Sequence, residues 1–223
     1  MYSSYYITHP GKTRLNNEDS YFINDIDGLW IVCDGMGGHQ EGNFASRLVT
    51  DIFEYMKFSD NFEENLESIV SQIYNIHMLL KKKAQKTGKN SVVGTTVVLL
   101  YIIGSKGLII HAGDSRCYHL RNNELTLLTK DHAKDIATEN GIRKVLINAL
   151  SAPSELSLEI NKIDVKKDDI FFLCSDGIYE TLSINFIKNS LEESNLQDGL
   201  DKISEKVLSG SATDNLTAII VKV

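Results

Sequence analysis

The sequence predicts an α+β domain whose strands pair antiparallel. Three features point that way. Short strand-like runs follow one another across tight turns, as hairpins do. Helical periodicity is confined to two blocks, near 42–87 and 183–208. The regular strand–helix alternation of a doubly wound parallel sheet is absent.

Residues 2–8, 19–24 and 29–33 read as strands, with Asp25-Ile26-Asp27-Gly28 as the turn between the last two. A helix is predicted over 42–57, where Phe44, Leu48, Ile52 and Met56 recur every fourth residue. A second helix spans 62–87, with Leu66, Ile69, Val70 and Ile73 on one face and Gly88 as its stop. His77 falls on that face as a half-buried residue. The period then changes. Strands at 95–103 and 108–112 flank the turn Gly104-Ser105-Lys106-Gly107. Strands at 116–120 and 125–128 flank Arg121-Asn122-Asn123-Glu124. Further strands are predicted at 145–149, 157–164, 169–174 and 216–223, and helices at 183–193 and 196–208.

The 223 residues include two prolines, no Gly/Ser linker and no internal repeat, which predicts one domain over 1–223. A net charge of −7 argues against a nucleic-acid binder, which needs a basic face. No apolar run reaches the roughly 18 residues of a membrane span. The first residues, MYSSYYITHP, lack the basic and apolar regions of a signal peptide, so a cytoplasmic location is expected. Cys33, Cys117 and Cys174 lie inside strand-like runs without disulfide spacing, as free buried thiols in a reducing compartment do.

Five acidic motifs sit at the ends of predicted strands: Glu18-Asp19, Asp34-Gly35, Gly113-Asp114-Ser115, Ser175-Asp176-Gly177 and Asp214-Asn215. Strand ends collect at a sheet rim, so several carboxylates can converge there. Like charges within a few ångströms raise each other's pKa values. Divalent cations resolve that repulsion, and an all-oxygen ligand set suits Mg²⁺ or Mn²⁺. Two such ions about 3.5–4 Å apart activate water and hold a phosphoryl oxygen. Arg14 is the candidate for gripping the phosphate. Gly35-Met36-Gly37-Gly38 is not a Walker loop, because no Gly-Lys-Ser/Thr follows. It also lacks the spacing of a dinucleotide fingerprint. Gly35 after Asp34 is expected to let the chain bend and a carbonyl approach a metal.

Taken together, the motifs resemble the metal-dependent protein phosphatases of type 2C, in their compact bacterial form. The matching stretches are RLNNEDS (14–20), VCDGMGGH (32–39), VGTTVV (93–98), HAGDSRCY (111–118), LTKDH (128–132), LCSDGIYETL (173–182) and TDNLTAIIV (213–221), in the family's order. The resemblance implies a four-layer αββα sandwich, two antiparallel sheets flanked by helix pairs. It implies hydrolysis of phosphoserine and phosphothreonine on proteins by water activated between two metals, Mn²⁺ or Mg²⁺, without a phosphoenzyme. Carried over by position, Asp34 bridges both metals, the Gly35 carbonyl binds one, and Asp176 and Asp214 hold the other. Glu18 and Asp19 bind metal-bound waters, Arg14 holds the phosphate, and Asp114 with Asp176 matches a third, weaker metal. Phosphoprotein substrates in turn imply an opposing serine/threonine kinase.

Two departures from the family pattern stand out. Eukaryotic relatives often carry a histidine where this chain has Met36, and His39 is expected to be structural. The family's flap is shortened to 133–144, which suggests a more open site. Two other functions compete. A non-catalytic regulatory domain predicts lost carboxylates, and none is missing. A small-molecule phosphomonoesterase shares the phosphate chemistry and differs only in its leaving group.

Overall fold

A computed structural model of the chain describes residues 2–37, 40–87, 92–138, 141–152 and 155–223. In chain order it begins with strands β1 (Ser3–His9), β2 (Asp19–Asn24) and β3 (Leu29–Met36), then helices α1 (Gln40–Glu54) and α2 (Phe62–Thr87). Next come β4 (Gly94–Thr95), β5 (Val97–Ile103), β6 (Lys106–Ala112), β7 (Arg116–Arg121), β8 (Glu124–Leu127), β9 (Ala133–Thr138) and β10 (Gly141–Leu146). The chain continues with β11 (Glu159–Asp164), β12 (Ile170–Cys174), α3 (Asp176–Tyr179), α4 (Ile184–Leu191), α5 (Leu196–Ser209) and β13 (Leu216–Lys222).

The strands form two facing antiparallel sheets. One runs β1-β13-β12-β7-β8 and the other β11-β6-β5-β3-β2, with β4 joined to the end of β3. Four central strands are apolar along nearly their whole length because both of their faces are buried. Side chains alternate across a strand. In β3, Trp30 and Val32 therefore point between the sheets, while Leu29, Ile31 and Cys33 point at the helices. In β5, Val98, Leu100 and Ile102 face inward, and Val97, Leu99 and Tyr101 face outward. Strands β12 and β13 repeat this on the other side, with Phe171, Leu173, Ile219 and Val221 meeting the inner layer. Val49 and Phe53 of α1 and Ile69 and Ile73 of α2 cover one outer face. Ile187 of α4 and Leu200 and Ile203 of α5 cover the other. The result is the four-layer αββα sandwich that the resemblance implies.

The structure corrects several local expectations. Strand β3 does not end at Cys33. It runs on to Met36 because Gly35 and Met36 pair with Thr95 and Gly94 of β4. Gly35 is thus an extended residue within a strand and not a bend. The positive φ of 139° falls on Gly37. The strand expected at 145–149 lies earlier, as β10, which pairs with β9 from Gly141↔Thr138 to Leu146↔Ala133. Too few apolar residues alternate there for the sequence to announce a ribbon. The loop after β7 turns on Asn122 and Asn123, both at positive φ (50° and 65°), as a two-residue hairpin of mirror type requires. His77 is more buried than half, at 4% exposed, and its Nδ1 accepts from Ser151 N at 3.0 Å. The Gly88 stop and His39 lie outside the described residues.

Gly35 is needed for space. A Cβ there would run into the Gly42 carbonyl oxygen of α1 and lie 2.5 Å from Glu18 O. Helix α1 therefore approaches β3 backbone to backbone. Gly35→Ala is expected to cost about 1–3 kcal/mol by overpacking, a fall in Tm of roughly 2–10 °C. Thermal denaturation measures this, and an unchanged Tm would show that α1 can move aside freely.

Candidate active site

One rim of the sandwich gathers the strand ends. Asp19 opens β2 and pairs in register with Asp34 near the end of β3. Asp114 lies in the β6–β7 connection, Asp176 follows β12 and Asp214 precedes β13. Asp34, Asp114, Asp176 and Asp214 line a cavity of about 430 Å³ together with Arg14, Glu18, Gly35 and Met36. Asp19 does not line it. It is buried behind the cavity at 6% exposed, where its Oδ2 accepts from Ser175 Oγ at 2.8 Å.

The carboxylates are held by groups that the sequence reading did not single out. Asp34 N donates to Thr96 Oγ1 and Thr96 N to Asp34 O, both at 2.9 Å, and Thr95 Oγ1 adds a third bond to Asp34 O at 2.9 Å. Asn215 is the hub of the other side. Its Oδ1 accepts from Glu18 N at 2.8 Å, and its Nδ2 donates to Pro10 O and Asn16 O, each at 3.0 Å. Asn215 belongs to the Asp214-Asn215 motif and to the matched stretch 213–221, where the sequence reading assigned it no role of its own. Arg14 Nη2 donates to Asp214 Oδ2 at 2.9 Å with the arginine side chain 55% exposed, so the guanidinium stands at the rim.

The flap stretch contributes to the same cavity. Strands β9 and β10 form a two-stranded ribbon, and Lys144 and Leu146 of β10 line the cavity. Tyr179 and Glu180, at the end of α3, contact Lys144. Tyr179 and Glu180 lie in the matched stretch 173–182 and Lys144 closes the flap stretch 133–144, but the sequence assigned none of them a role.

Burial and mutual repulsion dominate the electrostatics. Burial first, then Asp19, Asp176, Asp114 and Asp214, hold the Asp34 carboxyl well above the ordinary carboxylate range. Asp176 is pushed up to about 7 by burial and then by Asp114 and Asp214. Asp19 is also raised to about 7 by burial, against the lowering hydrogen bond from Ser175. Asp19 Oδ1 and Asp176 Oδ1 are buried and find no hydrogen-bond partner among the described residues. Unpartnered buried carboxylate oxygens, crowded acids and an all-oxygen donor set fit hard divalent cations. Cys33, Cys117 and Cys174 are free and fully buried, and burial raises each thiol pKa.

Comparison with known proteins gives a consistent picture. The family model described as protein phosphatase 2C matches residues 10–219. The serine/threonine phosphatase stp of Listeria welshimeri is 28% identical over 242 residues, covering 96% of this chain and 93% of the relative. The serine/threonine protein phosphatase PstP of Mycobacterium tuberculosis is 27% identical over 225 residues, covering 96% of this chain. The chain spans 43% of the length of that relative. Among solved structures, PppA of Pseudomonas aeruginosa superposes with a TM-score of 0.91 at 28% identity, covering 99% of this chain and 97% of that one. The catalytic domain of PstP in complex with two manganese ions gives a TM-score of 0.83 at 25% identity, covering 99% and 97%.

The raised carboxylates predict how the metal-free protein responds to pH. Asp176 keeps its proton up to about 7 in the folded chain, against an ordinary value of 3.8. Its stabilising contribution is complete below its unfolded pKa and is lost as pH rises through the folded one. Asp176→Asn keeps the shape and removes the charge. In chelator it is expected to raise the Tm by a few degrees at pH 8 and by much less at pH 4.5. Scanning fluorimetry at both pH values tests this, and equal shifts at the two would contradict it.

Proposed function

The chain belongs to the protein phosphatase 2C family, and from that premise we propose that it is a metal-dependent protein serine/threonine phosphatase. The observation that carries the reading is the convergence of Asp34, Asp114, Asp176 and Asp214 on one cavity with Arg14 at its rim. Asp34, Asp176, Asp214 and the Gly35 carbonyl are the groups that would hold two divalent ions. Glu18 and Asp19 would support them, and Asp114 with Asp176 offers a third position. Manganese is the ion reported with the related PstP catalytic domain, and magnesium satisfies the same oxygen donors. When bound, such ions polarise a phosphoryl oxygen and lower the pKa of the attacking water.

The chain's own residues set the geometry of the reaction. Arg14 is a planar donor suited to two phosphate oxygens at once, and its bond to Asp214 holds it over the cavity mouth. Thr96 fixes the Asp34 backbone, and its hydroxyl is taken up by Asp34 N and Ser115 Oγ. Among the described residues, no cysteine, serine or histidine lines the cavity. Thr96 does line it, but its hydroxyl is engaged by Asp34 N and Ser115 Oγ, and the aspartates are the proposed metal ligands, which favours direct attack of water on phosphorus over a phosphoenzyme. Met36 lines the cavity with a thioether that has no proton to give.

Phosphoserine and phosphothreonine on proteins are the proposed substrates, in keeping with the names of the serine/threonine phosphatase relatives. An opposing serine/threonine kinase follows from that assignment. No described helix is long and apolar enough to cross a membrane. Three free thiols fit a reducing compartment such as the cytoplasm.

The test is hydrolysis of p-nitrophenyl phosphate and of phosphothreonine peptides in Mn²⁺, Mg²⁺ or chelator, for wild type and Asp34→Asn. Turnover is expected to require metal. In the variant, kcat should fall by roughly two to three orders of magnitude or more, with circular dichroism unchanged. Full activity in Asp34→Asn overturns the assignment. Turnover of the small ester without any phosphopeptide would shift the substrate to small phosphoesters.

A further inference from the structure

Asp114 is a buried carboxylate, with its side chain 8% exposed, and a charge in that position needs a partner. Its partner is Lys144, whose Nζ lies 2.9 Å from Asp114 Oδ2. The same ammonium donates to Tyr179 OH at 2.8 Å and to Glu180 Oε1 at 3.1 Å, and Asp131 Oδ2 lies 3.8 Å away. An ammonium has three donors, and these oxygens satisfy all three. The Tyr179 ring also lies 5.1 Å from the ammonium, a cation–π distance.

The setting of Lys144 is built as well. Its hairpin is rooted beside Asp114. His132 N donates to Gly113 O at 2.9 Å, Gly113 N returns a bond to His132 Nδ1 at 3.3 Å, and Ile147 N donates to His132 O at 2.9 Å. Arg116 grips Asp131 with two bonds, of 2.9 and 2.8 Å, and stacks 3.6 Å from the centre of the Tyr179 ring. The acceptors of the lysine are therefore fixed before it arrives. Asp176 lines the same cavity and leaves Oδ1 buried without a partner among the described residues. A divalent ion bridging Asp114 and Asp176 and the ammonium of Lys144 compete for one carboxylate.

We propose that Lys144 is a tethered cation that occupies the outer cation position of this cavity, so that a third divalent ion enters at Asp114 and Asp176 only by displacing it. The proposal rests on the metal-site reading above. It has two consequences. The chain works with two divalent ions under conditions in which an unblocked site takes three. Filling the third position also breaks the contacts that tie the hairpin's second strand to Tyr179 and Glu180, which couples metal occupancy to the hairpin.

Isothermal titration calorimetry with Mn²⁺ on the full chain tests this without an activity readout. Lys144→Met keeps the aliphatic stem and removes the charge. Its third-site constant is expected to be roughly ten- to hundredfold tighter than that of wild type, the fold-change equivalent to a charge-assisted bond of about 1.5–3 kcal/mol. Adding Asp114→Asn should abolish that gain. Glu180→Gln loosens the ammonium from outside the hairpin and should move the constant the same way by less, which keeps the question answerable should Lys144→Met fail to fold. The lysine's role is overturned if the third-site constant is unchanged or the third site is absent in Lys144→Met, or if the gain survives Asp114→Asn. No Mn²⁺ binding by any variant overturns the metal-site reading itself, and this proposal with it.

Discussion

The structure turns on one unfavourable interaction, the crowding of carboxylates at a single rim. Asp34 meets repulsion from Asp19, Asp176, Asp114 and Asp214 at once. No chain would gather these groups for stability alone. They stay together because each is fixed to a strand end whose position is set elsewhere. The central strands β3, β5, β12 and β13 bury both faces, and the inner layer of Trp30, Val98, Leu100, Phe171, Leu173 and Ile219 locks the two sheets face to face. The apolar core thus supplies the free energy that the polar rim consumes, a common arrangement at sites of perturbed pKa.

Rigidity at the rim comes from neutral hydrogen-bonding groups beside the acids. Thr96 and Thr95 clamp the backbone of Asp34. Ser175 accepts from Thr217 N at 3.0 Å while donating to Asp19, so a single hydroxyl ties β13 to the start of β2. Asn215 spans three segments of backbone through one amide. These contacts restrict where the carboxylates can go without adding charge, so the site is preorganised at little further electrostatic cost.

How much of this was legible in sequence follows from what each feature depends on. Two-sided burial writes itself as continuous apolar runs such as 97–102 and 218–221, so the central strands were readable. The acidic motifs were readable because each abuts such a run. Strand β3 was read three residues short because its extension is stabilised by Gly94 and Thr95, which lie far along the chain. Gly35 was read as a hinge, whereas its role is to make room for α1, a property of packing that no local pattern carries. The β9–β10 ribbon and Lys144 escaped for a similar reason. Their partners, Asp114, Tyr179 and Glu180, come from distant segments, and a lone lysine at the edge of a short apolar run is indistinguishable from a solvated one.

Charge also orders the events at the cavity. Among the described residues, six carboxylates line it, from Glu18, Asp34, Asp114, Asp176, Glu180 and Asp214, against two cationic side chains, Arg14 and Lys144. Both cations are already spent on acids, Arg14 on Asp214 and Lys144 on Asp114 and Glu180. A phosphate dianion approaching this surface meets net negative potential. Under the proposed function, divalent charge held by Asp34, Asp176 and Asp214 would offset that excess of negative charge and would compete with Arg14 for Asp214, which would leave the guanidinium available to a phosphate oxygen. The Arg14–Asp214 ion pair would then couple loading of the site to its competence for binding phosphate.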